Sequence, residues 1–220
     1  MKLTTIADLK SNDAETNEKL FDEVGRLSEE YETWYANQSS DGHLRKRGIH
    51  ASEVTGCLRR VVYSLRGEPK VEETSSFWRK KFQHGHAIHD MLQRDFENMA
   101  RATNLMKEGW HLEFHREFPI APEYHPLAHR WDIQSHLDGI FTIREQWDAP
   151  AKFRVLVEIK SKAPDGWASM KDVEQAHKEQ AHIYMACFDV PLCWFVYYNK
   201  GNEAITPSKG NYLVRFDPEL

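Results

Sequence analysis

Residues Val155-Leu156-Val157-Glu158-Ile159-Lys160-Ser161 decide how the chain is read. Aliphatic and β-branched residues are broken there by two charged ones, the pattern of a strand. Successive side chains on a strand point to opposite faces, so Glu158 and Lys160 share one face and Val157 and Ile159 the other. A carboxylate and an ammonium two residues apart on an otherwise apolar strand are costly to bury unless each has a partner. A divalent cation and a water to be activated are partners of that kind. Asp138 supplies a second carboxylate, twenty positions before Glu158. It ends the alternating run Trp131-Asp132-Ile133-Gln134-Ser135-His136-Leu137 and precedes Gly139, where a strand can bend or another group can come close. Oxygen ligands of this hardness suit Mg2+ or Mn2+.

Two further pairs flank this pattern. Gln180 and Tyr184 stand four apart in a helical stretch and so face the same way. Gly85-His86-Ala87-Ile88-His89 lies in another helical stretch. Taken in order, Gly-x-x-x-His, Asp, Glu-x-Lys and Gln-x-x-x-Tyr resemble the motifs of the PD-(D/E)XK phosphodiesterases. Within them they resemble the RecB-type branch, which includes the RecB nuclease domain, CRISPR adaptation nucleases, the mitochondrial genome maintenance exonuclease and many phage exonucleases. The resemblance runs from Gly85 to Tyr184 and extends to the helix holding Cys57-Leu58-Arg59-Arg60.

The resemblance implies an α/β fold with a PD-(D/E)XK restriction-endonuclease-like core, a central mixed β-sheet flanked by helices. An N-terminal helical region is added to it. It implies a Mg2+- or Mn2+-dependent deoxyribonuclease, foremost an exonuclease acting in DNA recombination, repair or phage DNA metabolism. The competing readings are a catalytically inactive scaffold that binds DNA or a protein partner, and a zinc module built on His84, His86 and His89. Helical geometry leaves only His86 and His89 adjacent. By the resemblance, His89, Asp138, Glu158 and the Ile159 carbonyl hold one or two ions. Lys160 orients or helps deprotonate the attacking water, and Gln180 positions Lys160 or a ligand. Tyr184 contacts the nucleic-acid backbone, Arg59 or Arg60 grips a phosphate, and cleavage leaves a 5′-phosphate and a 3′-hydroxyl.

The whole chain is compatible with these expectations. At 220 residues it is long enough for one α/β domain with a substantial core. We place an N-terminal helix and basic loop at 1–48 and the nuclease domain at 49–220. A net charge of −5 argues against a protein that simply coats DNA, but basic residues need only line one groove. The charge is uneven: the first 36 residues are acidic, whereas 43–66 carry Arg45, Lys46, Arg47, Arg59, Arg60 and Arg66. The Arg45-Lys46-Arg47 run is a second candidate for phosphate contact. No apolar run approaches the ~20 residues of a membrane span, and no leader pattern opens the chain, so a cytoplasmic location is expected. DNA is the expected partner, as single strands or duplex ends, with a homo-oligomer or a helicase or recombinase as further partners.

Cys57, Cys187 and Cys193 are too few and too scattered for a disulfide framework, so free thiols are expected. Some RecB-type nucleases hold a four-cysteine iron–sulfur cluster. Cys57 stands where its first ligand would be, but the closely spaced trio after the core is missing and no cluster is expected. Cys57 then reads as a small buried residue.

Periodicity predicts helices over about 14–36, 52–65, 77–102 and 166–187. In the second, Ser52 is the N-cap, Gly67 the stop, and Val54, Leu58, Val61-Val62 and Leu65 the apolar face. In the third, Phe82, Ile88, Met91-Leu92, Phe96 and Met99 form the buried stripe, with Gly85 letting the helix approach the sheet. Strands are expected at 110–120, 131–143, 153–162, 192–199 and 212–216. Glu117 reads as half of a cross-strand ion pair, with an additional active-site carboxylate as the alternative. Asp217-Pro218-Glu219 looks like a helix start, so a further helix is expected after Leu220.

Overall fold

The computed structural model describes residues 29–31, 33, 48–54, 56–68, 76–106, 111–206 and 212–219. The Arg45-Lys46-Arg47 run and most of the 14–36 helix lie outside the described residues. The chain divides into two compact units, one of residues 1–45 with 72–82 and one of residues 46–71 with 83–220. In the first, Glu29–Tyr31 and Thr33 are helical as expected, and the Lys80 ammonium stands 5.1 Å from the centre of the Tyr31 ring.

The second unit holds the sheet. It begins with α1 (Ala51–Val54) and α2 (Leu58–Arg66), where a single helix was expected. The chain breaks at Gly56 and Cys57, and Cys57, in extended conformation, becomes the N-cap of α2. Gly67 ends α2 in the left-handed region at φ 71°, as its lack of a Cβ permits. Only Ala51 and Val61 of these helices are buried; Val54, Leu58 and Val62 are exposed, and so is Cys57. The apolar face and the buried thiol expected here are therefore corrected. The thiols are free, as expected.

The long helix α3 (Ser76–Met106) buries Ile88, Leu92, Phe96 and Ala100 at four-residue intervals. The stripe is narrower than periodicity implied, and Phe82, Met91 and Met99 stay exposed. A Cβ on Gly85 would meet nothing within 4 Å, so this glycine does not mark a close approach.

Five strands follow: β1 (His111–Ile120), β2 (Ser135–Arg144), β3 (Phe153–Lys162), β4 (Leu192–Asn199) and β5 (Leu213–Arg215). They form one mixed sheet in the order β1-β2-β3-β4-β5, antiparallel except between β3 and β4. A parallel pair needs a crossover, and it is supplied by α5 (Pro164–Ser169) and α6 (Gln175–Phe188). These two replace the single helix expected over 166–187. A short helix, α4 (Pro126–Trp131), with Pro126 in its first turn and Asp132 closing it at φ 50°, lies between β1 and β2, and β2 begins at Ser135 where a strand from 131 was expected.

The sheet is α/β and covered on both faces. On one, α6 contributes Ala181, Tyr184 and Met185 to a core with Leu156, Cys193, Phe195 and Tyr197. On the other, Ile88, Leu92 and Phe96 of α3 pack on Val157, Ile159 and Val196. Val157 and Ile159 thus share one face, as the alternation required, which leaves Glu158 and Lys160 to the face covered by α6.

Candidate active site

The β2–β3 ladder runs from Ile143↔Phe153 to Gly139↔Val157 and stops there. Just past its end, Asp138 accepts the Ile159 amide on Oδ2 at 2.6 Å. A side chain takes over where the strands' own pairing ends, and that fixes Asp138 against the strand carrying the second carboxylate. Gly139 is needed for a different reason. A Cβ there would come within 2.3 Å of Phe114 Cζ and 2.5 Å of Cε2. The close approach expected at this glycine is thus that of an aromatic ring.

Helix α3 grips Asp138 twice. His89 Nδ1 lies 3.1 Å from Asp138 Oδ1. One turn later, Gln93 donates from Nε2 to the Asp138 carbonyl at 2.9 Å. The same nitrogen donates to Glu117 Oε1 at 2.8 Å, which corrects the cross-strand ion pair expected for Glu117.

On β3, the Lys160 ammonium donates to Glu158 Oε1 at 2.6 Å. Gln180 Nε2, reaching down from α6, donates to the same oxygen at 3.0 Å, and Gln180 Oε1 lies 3.4 Å from Lys160 Nζ. Gln180 also donates to the Tyr184 hydroxyl one turn away, at 2.7 Å, and that hydroxyl lies 2.9 Å from Ser135 Oγ. The i, i+4 spacing therefore does bring Gln180 and Tyr184 together. Tyr184, expected against nucleic acid, is instead 1% exposed and braces Gln180 from within the core.

Burial governs the electrostatics. Glu158 is 3% exposed, and desolvation raises its pKa to about 7 against the pull of Lys160. Desolvation opposes the charge on Lys160, but Glu158 and Asp138 outweigh it and hold the ammonium above its ordinary pKa. Burial also works against a charged His89, yet the hydrogen bond and charge of Asp138 prevail and its pKa is raised. One turn before Gln180, His177 turns instead to the Tyr197 hydroxyl, 2.7 Å away. Desolvation, with Lys160 nearby, lowers its pKa to about 4.

Glu158 Oε2 is buried and has no hydrogen-bond partner among the described residues. A buried carboxylate oxygen left over beside an ammonium, with a second carboxylate and an imidazole close by, is a donor set of the chemistry that holds Mg2+ or Mn2+. Among the described residues, however, no three His, Cys, Asp or Glu side chains converge as they stand on one ion position. Asp138 and His89 are engaged with each other, and a cation would exchange that hydrogen bond for ligation. His84 and His86 are exposed and join no such group.

Of the expected site residues, His89, Asp138 and the Ile159 amide form one hydrogen-bonded group and Glu158, Lys160, Gln180 and Tyr184 another, the two joined along β3. Arg59 and Arg60 are exposed on α2 and take no part in either. Gln93 and Ser135 were not anticipated. Gln93 had a signal, since it stands four residues after His89 on one helix, the spacing that pairs Gln180 with Tyr184. Ser135 had none, because its role depends on a strand and a helix meeting far apart in sequence.

No family model matches the chain, and no curated protein matches it. Among solved structures, that of the protein SSO0001 is similar at 14% identity and a TM-score of 0.49, over 86% of this chain and 78% of that one. An alkaline exonuclease (LHK-Exo) from Laribacter hongkongensis is similar at 18% identity and a TM-score of 0.40, over 80% of this chain and 81% of its own. LHK-Exo in complex with dAMP is similar at 19% identity and a TM-score of 0.40, over 86% of this chain and 84% of its own.

Proposed function

We propose that the chain is a Mg2+- or Mn2+-dependent DNA nuclease of the PD-(D/E)XK type, RecB branch, acting as an exonuclease. The observation that carries this reading is the pairing of Glu158 with Lys160 and Gln180, beside the Asp138–His89 pair, with a buried Glu158 oxygen that no group among the described residues satisfies. Asp138, Glu158, the Ile159 carbonyl and His89 would hold the cation. When bound, it supplies charge to polarise the scissile phosphate and lower the pKa of a water.

The protein's own groups do the rest. Lys160, held between Glu158 and Gln180, faces the charge that develops on phosphorus and orients the attacking water. Gln180, braced by Tyr184 and Ser135, keeps Lys160 and Glu158 in register. Arg59 and Arg60, exposed and free of ion pairs among the described residues, would meet DNA phosphates, for which the guanidinium fork is suited. Arg45, Lys46 and Arg47 would add to that contact. The products are a 5′-phosphate and a 3′-hydroxyl.

The test is degradation of end-labelled linear DNA against closed circles of the same sequence in Mg2+. Loss of the linear form with circles spared fits the exonuclease. Nicked circles move the assignment to an endonuclease, and intact DNA with binding retained moves it to an inactive scaffold.

A further inference from the structure

Glu117 is the least expected residue in the sheet. It lies inside the ten-residue strand β1, yet its φ is 57°, a conformation that residues with a side chain avoid. The β1–β2 register pairs Arg116 with Gly139 and Phe118 with Leu137, so Glu117 stands opposite Asp138, and that one pair is missing from the ladder. The turned-out backbone sends the Glu117 carboxylate to Gln93 Nε2, 2.8 Å away.

Gln93 is 1% exposed, and its amide nitrogen carries two hydrogens. Two groups that can only accept, the Glu117 carboxylate and the Asp138 carbonyl, converge on it. That arrangement dictates the amide's orientation: each acceptor takes one hydrogen, and a flipped amide would set oxygen against oxygen at both. His89 and Gln93 sit one turn apart on α3, one at the Asp138 carboxylate and the other at its main chain.

We propose that Gln93, locked by Glu117, is a positioning residue for Asp138, setting the aim of that carboxylate toward a divalent cation. The inference rests on the function proposed above and deepens it. Hydrogen-bond partners behind a metal ligand commonly govern affinity about 10- to 100-fold. The strained backbone of Glu117 is then the means by which an edge-side strand reaches the back of the site without entering it.

The test is calorimetric titration of the full chain with Mn2+ alone, for the wild type, Gln93→Met, Glu117→Leu and Glu117→Gln, each confirmed folded by circular dichroism. Gln93→Met and Glu117→Leu are expected to weaken Mn2+ binding about 10- to 100-fold. Glu117→Gln, whose carboxamide oxygen still accepts, is expected to restore it. Unchanged affinity in the first two variants would overturn the inference and reduce the pair to a structural role. So would Glu117→Gln as weak as Glu117→Leu, because charge and not the hydrogen bond would then matter. Should Gln93→Met not fold, the exposed Glu117 position decides alone. A wild type that binds no Mn2+ would overturn the nuclease reading itself, an outcome distinct from either.

Discussion

Replacing Gly139 by alanine tests whether the close packing beside Asp138 is as tight as it looks. The new methyl would sit 2.3 Å and 2.5 Å from two carbons of the Phe114 ring and 3.2 Å from the His115 carbonyl oxygen. Carbon atoms in contact prefer about 3.5–4.0 Å, so the ring must retreat by roughly 1.2 Å or more. It has little room, being 8% exposed and packed against Phe141 at 4.6 Å and Phe96 at 5.4 Å between ring centres. Overpacking of this kind costs about 1–3 kcal/mol, and with the ring boxed in we expect the upper half of that range. Phe114→Leu removes both offending carbons and alone costs roughly 1–2 kcal/mol for the lost burial. The double variant should fall about 1–2 kcal/mol short of the sum of the single effects, since the leucine vacates the space the alanine needs. Urea denaturation followed by circular dichroism reads all four corners of this cycle. A Gly139→Ala protein within about 0.5 kcal/mol of wild type, or strict additivity, would refute the reasoning.

Two further predictions bear on the charges. Lys160→Met removes the counter-charge of a carboxyl whose pKa is already about 7, so Glu158 should take up a proton, the stability cost at neutral pH in chelator should be only about 1 kcal/mol, and DNA cleavage should be abolished. Denaturation and a cleavage assay check the two halves separately, and a loss of about 3 kcal/mol or more would show that Glu158 stays charged in the variant. His177 has a folded-state pKa of about 4 against an ordinary value near 6.5. The unfolded chain therefore binds more protons between those values, so the stability from keeping His177 neutral is complete above about pH 6.5 and is lost as pH falls toward 4. The imidazole is 21% exposed, so solvent screening reduces the effect to roughly 1–2 kcal/mol. Urea midpoints between pH 4 and 7.5 for wild type and His177→Gln should diverge below pH 6.5, and parallel profiles would contradict it.

Much of this was legible because periodicity is a local property. The alternation around Glu158 put Val157 and Ile159 on one face without any knowledge of what covers them. The i, i+4 rule paired Gln180 with Tyr184, and Gly139 announced a close approach. Illegible features depended on partners distant in sequence. Nothing local says that Tyr184 points into the core, since a tyrosine four residues from a glutamine reads the same whether it faces solvent or Ser135. Glu117 looked like an ordinary strand residue because alternation assumes an extended backbone, and its positive φ is imposed by the meeting of β1 with Gln93. The helices expected over 52–65 and 166–187 each split because their apolar pattern runs across breaks at 56–57 and 170–174. Propensity alone does not penalise such breaks enough to reveal them.

The central claim is that Glu158 and its neighbours form a metal-dependent phosphodiesterase centre. The most direct measurement compares cleavage of linear single- and double-stranded DNA by wild type and Glu158→Gln in Mg2+, in Mn2+ and in EDTA. The glutamine keeps the shape and an acceptor for Lys160 but removes the charge a cation requires. We predict cleavage by wild type in either ion, none in EDTA, and none by Glu158→Gln in any condition while the variant stays folded. Equal cleavage by the variant, or cleavage by wild type that persists in EDTA, would contradict the account.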